Sequence, residues 1–156
     1  MKKFTFTLQS VLNVKRALEK QYMGELSECN ARIRRFEQKR QELIEREAGQ
    51  HEEFRRQTGE GLSPADWQLW GIANRAARER VAYQEKVLEQ AEGERARIEK
   101  KLVAAMQERK ILEKLRDKQQ EAYRMEQQRE AALEMSEFMG HDVFENQEGI
   151  RYGSGG

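Results

Sequence analysis

The sequence predicts an all-α protein: a long two-helix antiparallel coiled-coil hairpin with a disordered C-terminal tail. Three observations lead there. Charged and apolar residues each make up 37% of the chain, against about 25% and about 45–50% in ordinary globular domains. Such a chain cannot fill a wide core, but it can bury the narrow seam that two helices share. Only one proline, Pro64, interrupts the 156 residues. The abundant Glu, Lys, Arg, Gln, Ala and Leu lose little rotamer freedom in a helix. Apolar residues also recur at steps of four and three on both sides of a single glycine-containing break.

The first helix is expected over about residues 7–57. From Tyr22 its apolar positions run Leu26, Cys29, Ile33 and Phe36, pass through Arg40 and continue at Leu43. That heptad keeps one stripe facing a partner helix. The stripe decays at Glu47 and Gln50 and returns at Phe54. Upstream it is carried by Val11, Leu18 and Tyr22, an eleven-residue step that predicts a stutter relaxing the supercoil.

The turn is expected over 58–63. Gly59 and Gly61 suit a helix end and a chain reversal. The second helix then opens on a full set of start signals. Ser63 is placed as N-cap, Pro64 as the first helical residue and Asp66 three positions past the cap at the positive end of the helix dipole. Leu62 and Trp67 occupy the two positions of a hydrophobic staple.

The second helix is expected over about 64–139. Its seam is Trp67, Trp70, Ala77, Val81, Leu88, Ala91, Ile98, Leu102, Ala105 and Leu112, with polar interruptions at Asn74, Gln84, Arg95 and Arg109. Beyond Leu115 the register weakens, with Arg116, Gln119 and Glu126 at seam positions. A helix end near Gly140 separates this single coiled-coil domain, residues 1–140, from the glycine-rich tail, residues 141–156. At about 1.5 Å per residue the helices are roughly 75 and 110 Å long. Pairing outward from the turn sets Leu8 opposite Leu112–Leu115. It leaves an overhang carrying Ala122, Tyr123, Met125, Leu133, Met135, Phe138 and Met139 without a partner.

Charge and chemistry narrow the function classes. The 29 Lys+Arg and 28 Asp+Glu are interspersed, which predicts a solvated helix surface laced with i,i+4 pairs rather than a phosphate-binding face; nucleic acid is not an expected partner. His51 and His141 stand apart and match no metal-ligand spacing, so neither metal nor cofactor is expected. Gly59-x-Gly61 lacks the Gly-Lys-Ser/Thr of a phosphate-binding loop and is explained by the turn. The lone Cys29 sits at a seam position as a small buried hydrophobe. No apolar run has the length of a membrane span, and the amphipathic start does not read as a signal peptide. A cytoplasmic, non-enzymatic protein is expected, one that reaches a membrane only through a partner. Phe54, Trp67 and Trp70 flank the turn. They cap the coiled coil, and they also offer aromatic anchors for recognition.

Two segments carry a family resemblance. Phe4-Thr5-Phe6-Thr7-Leu8-Gln9-Ser10-Val11-Leu12-Asn13-Val14-Lys15, with Glu19 following, resembles the FxFxLxxVLxxK/R opening of the FliJ family of flagellar export proteins. Glu108-Arg109-Lys110-Ile111-Leu112-Glu113-Lys114-Leu115-Arg116-Asp117-Lys118, with Tyr123 and Glu137 beyond, resembles its RKxLExLxxK signature. The hairpin sets the two segments side by side at its open end. The resemblance implies a component of the flagellar type III export apparatus, similar to the central stalk of rotary ATP synthases. Such a component binds and activates the flagellar export ATPase ring and contacts the cytoplasmic domain of the transmembrane export gate. The family is also described as escorting export chaperones. The ATPase contact is expected at Phe4, Phe6, Leu8, Arg109, Lys110 and Arg116, and the gate contact at Phe54, Trp67 and Trp70. The competing expectations are an export chaperone or substrate escort, the equivalent stalk of a virulence type III secretion system, and a coiled coil that only dimerises.

Overall fold

The structure is a computed structural model that describes the backbone of residues 2–153 and the side chains of residues 2–146. It consists of two helices, α1 (Gln9–Thr58) and α2 (Pro64–Gly153). The chain divides into two compact units: Lys15–Gln107, and Met1–Val14 together with Glu108–Gly156.

In the unit 15–107 the two helices run antiparallel, as the hairpin requires. The Cys29 thiol donates to the carbonyl of Ala91 at 3.6 Å, and the Gln84 amide donates to the carbonyl of Phe36 at 3.1 Å. One heptad forward in α1, from Cys29 to Phe36, is matched by one heptad back in α2, from Ala91 to Gln84. The register therefore holds without a slip along this stretch. Cys29, Ile33, Ala91 and Ile98 form the buried cluster, with Leu26 and Phe36 packed against it. Ala77, Leu88 and Ala105 extend the buried stripe of α2. The small Ala side chains bring the backbones close enough for Cys29 to reach a carbonyl. Arg32 and Glu94 pair across the helices at 3.1 Å. Both are about two-fifths exposed, so solvent screening leaves the pair a minor contribution.

The turn forms as its residues dictate. Gly61 has φ of 87°, a left-handed conformation that a side chain would oppose. Ser63 and Asp66 make a reciprocal capping box. The Asp66 amide donates to Ser63 Oγ at 3.2 Å, and the Ser63 amide donates to Asp66 Oδ2 at 3.1 Å. Asp66 takes the place of the more usual Glu at that position. The Trp67 amide then closes the first helical turn on the Ser63 carbonyl.

In the second unit residues 2–6 take no regular secondary structure and residues 7–8 turn into α1. The Gln9 amide donates to the Phe6 carbonyl at 3.0 Å, which starts the helix. Phe6 is buried and Leu12 is fully buried. Phe4 lies against Tyr123, with ring centroids 5.7 Å apart.

Three expectations are corrected. Upstream in α1 the buried residue is Leu12, while Val11 is 42% exposed. Lys15, Leu18, Glu19 and Tyr22 follow half-buried, so the heptad continues through Lys15 and Glu19 and needs no stutter. Tyr123 is half-buried against Phe4 and does not belong to an unpartnered overhang. The residues before Gln9 are not helical, so pairing by helical rise does not apply to them. Finally, α2 does not end near Gly140 but continues to Gly153. A lone glycine costs a helix only about 1 kcal/mol, and no proline follows it. Within the expected tail 141–156, residues 154–156 and the side chains from Gln147 onward lie outside the described residues.

Candidate functional site

The aromatic site at the turn end of unit 15–107 is built by the last turns of α1 and the first turns of α2. Phe54 stacks on Trp70 with centroids 4.1 Å apart and planes 22° from parallel. Trp67 meets the same Phe54 ring edge-on at 4.9 Å. His51 meets Trp70 edge-on at 5.4 Å. The structure therefore joins all three predicted residues in one cluster. Phe54 and Trp70 are half-buried, whereas Trp67 is 51% exposed, and Leu69 and Ile72 stand more exposed still on the same helix. A shallow cavity of about 250 Å³ opens beside the stack, lined among others by His51, Phe54, Trp70 and Asn74. The surface offers aromatic faces and edges with few charges, which suits an apolar anchor from a partner.

Sequence reading passed over two participants here. His51 was considered as a metal ligand. Glu47, read as a decay of the seam, is half-buried and lies 3.7 Å from His51 and 3.9 Å from Arg78 of α2. A carboxylate at a seam position followed four residues later by His was the signal that could have found both.

The second predicted set falls wholly within the other unit. Phe4 is half-buried, Phe6 is buried, and Leu8 is 39% exposed. Arg109 donates to Glu113 at 2.9 Å, one helical turn on. Lys110 is exposed. Arg116 lays its stem at a seam position, and its Nε is buried with no hydrogen-bond partner. Phe6 thus anchors the N-terminal segment, while Leu8 and Lys110 present themselves to solvent. Farther along α2, Arg124 holds Glu121 by two contacts of 2.6 and 3.1 Å. That guanidinium keeps the Glu121 carboxyl below the usual glutamate range.

Among the described residues no group of three or more His, Cys, Asp or Glu is placed to hold a metal ion. Over the described residues no helix is long and apolar enough to cross a membrane. The distinctive side chains are aromatic, aliphatic and cationic, and most of them are at least partly exposed. That arrangement defines a helical hairpin protein.

Residues 4–148 match the family described as Flagellar FliJ protein. The match spans nearly the whole chain, and the chain belongs to that family. The family is a component of the flagellar protein export apparatus and is generally non-catalytic. Comparison with curated proteins and with solved structures gave no match.

Proposed function

We propose that this protein is a stalk-like coiled coil that binds and activates the flagellar export ATPase ring and links it to the export gate. Its place is then the cytoplasmic face of the inner membrane, held there through the flagellar basal body. The observation that carries the reading is the gathering of both family-like motifs, Phe4–Lys15 in its first eleven residues and Glu108–Lys118, into one compact unit. Phe4, Phe6, Leu8, Arg109, Lys110 and Arg116 form the ATPase contact, with Phe6 seating the segment and Lys110 reaching outward. Phe54, Trp67 and Trp70 form the contact to the cytoplasmic domain of the gate protein, with Trp67 the most exposed anchor.

The mechanism is mechanical. An asymmetric helical stalk biases the subunits of a ring between nucleotide states only if it binds those states with different affinities. The test is the hydrolysis rate of the same organism's export ATPase titrated with this protein. Saturable stimulation at well below one copy per ATPase subunit is expected. A folded protein that gives no stimulation at any ratio refutes the stalk reading.

A second reading, escort of export chaperones or substrates, is favoured by the exposed Leu133, Met135, Phe138 and Met139 on α2. Truncation after Arg116 separates the two. An escort loses its clients, whereas a stalk still stimulates the ATPase.

A further inference from the structure

We propose that the acidic, apolar stretch of α2 from Glu130 to Glu145 docks into a cationic groove on the unit 15–107 of a second copy, so that the protein associates head to tail with itself. The proposal rests on neither the ATPase reading nor the gate reading.

The first observation is the groove. Between α1 and α2 lies an open cavity of about 550 Å³ with Leu43 and Tyr83 in its lining. Tyr83 is 69% exposed there. Lys39, Arg46 and Arg80 line the same cavity against one carboxylate, Glu79. A groove with apolar side chains and an excess of cations selects an acidic amphipathic helix.

The second observation is that this chain carries such a helix. From Glu130 to Glu145 there are five carboxylates and no Lys or Arg. Setting those five aside leaves 29 Lys+Arg against 23 acids in the rest of a chain whose net charge is only +1. The charge is therefore segregated between the end of α2 and the remainder. Met135, Met139 and Val143 recur one turn apart along one side of the helix. Glu130, Glu134 and Glu137 recur at steps of four and three on the other side. All three apolar side chains are more than half exposed. Single exposed apolar residues are ordinary, but a continuous stripe marks a contact surface.

Acid on one copy faces base on the other, and each apolar surface covers its counterpart. Groove and stretch lie on different parts of the chain, so a head-to-tail contact leaves one of each unfilled and repeats into open chains. Such association would hold both surfaces in reserve until another partner displaces the second copy.

The experiment is sedimentation equilibrium of the full chain from about 1 to about 200 μM, because mass action reveals a weak contact only across such a range. In low salt the weight-average mass is expected to rise at least twofold. In roughly 500 mM salt, where screening is strong, it should fall back to the monomer value. A groove variant, Lys39→Glu with Arg80→Glu, and a stretch variant, Met139→Ser with Val143→Ser, should each stay monomeric. Mixed together they should give a 1:1 dimer that grows no further, since one intact groove meets one intact stretch. A monomeric mass for the unaltered chain at every concentration overturns the proposal. So does association that persists in either variant, or a mixture that stays monomeric.

Discussion

Phe54 and Trp70 stack across the two helices at 4.1 Å, and this contact holds the turn end together while Trp67 remains largely in solvent. The three aromatics therefore separate into a structural pair and a free edge. Phe54→Ala removes the ring that both tryptophans touch. It is expected to cost about 1–2 kcal/mol and to shift tryptophan emission to the red, because an aromatic pair contributes about 0.5–1.5 kcal/mol beyond its burial. Trp67→Ala should cost about half as much and yet weaken binding to the gate domain more. Thermal melts and gate titrations of the two variants check this. Equal losses of gate affinity from variants of unequal stability would make the cluster a cap and nothing else.

Arg40 occupies a seam position between Phe36 and Leu43, and its Nε is buried with no hydrogen-bond partner. An unsatisfied buried donor costs about 1–3 kcal/mol. Arg40→Leu fills the same seam position with a side chain that needs no partner. The expected outcome is a gain of about 1 kcal/mol in chemical denaturation, with helicity unchanged. A loss of stability would mean that the exposed part of the guanidinium contributes more than the buried nitrogen costs.

The seam was legible because burial in a coiled coil follows a period, and the apolar residues from Tyr22 to Phe36 and from Ala77 to Leu112 keep it. The turn was legible because Gly61, Ser63, Pro64 and Asp66 each have a backbone reason to be there. Leu12 was missed in favour of Val11 because Lys15 and Glu19 fill the intervening seam positions. Both are half-buried, and a reading of apolar letters alone skips them. The Phe4–Tyr123 contact was missed because pairing by helical rise does not apply to the non-helical residues before Gln9. The continuation of α2 past Gly140 was missed because helix propensity weighs a lone glycine as a stop signal, although its cost is small beside that of a proline.

The Glu121–Arg124 pair gives a pH prediction. The guanidinium depresses the folded-state pKa of Glu121. The stability the pair contributes is therefore fully present above the unfolded value and is lost as pH falls through the folded one. A carbon-detected titration should place Glu121 below the solvated glutamates of the chain, and Arg124→Gln should return it to their range. The pair is exposed, so the effect is local, read as fraying of that turn at acid pH rather than as a change in global melting. A Glu121 that titrates with the other glutamates refutes the contact.

The proposed ATPase surface is best tested by contrasting Phe6 with Lys110. Phe6 is 7% exposed, and its carbonyl accepts the first hydrogen bond that starts α1. Phe6→Ala empties a buried site and is expected to cost about 3 kcal/mol, loosening the N-terminal segment. Loss of ATPase stimulation in that variant would not distinguish contact from disorder. Lys110 is exposed, so Lys110→Glu should leave the melt within about 0.5 kcal/mol. If Lys110 meets the ring, the reversal raises the concentration needed for half-maximal stimulation about tenfold, with the larger part recovered by Lys110→Arg. A charge contact at the rim also weakens as salt rises. The unaltered protein should therefore lose stimulation with salt more steeply than the Lys110→Gln variant. If both lose it with the same steepness, Lys110 lies outside the interface and the contact rests on Phe4, Leu8 and Arg109.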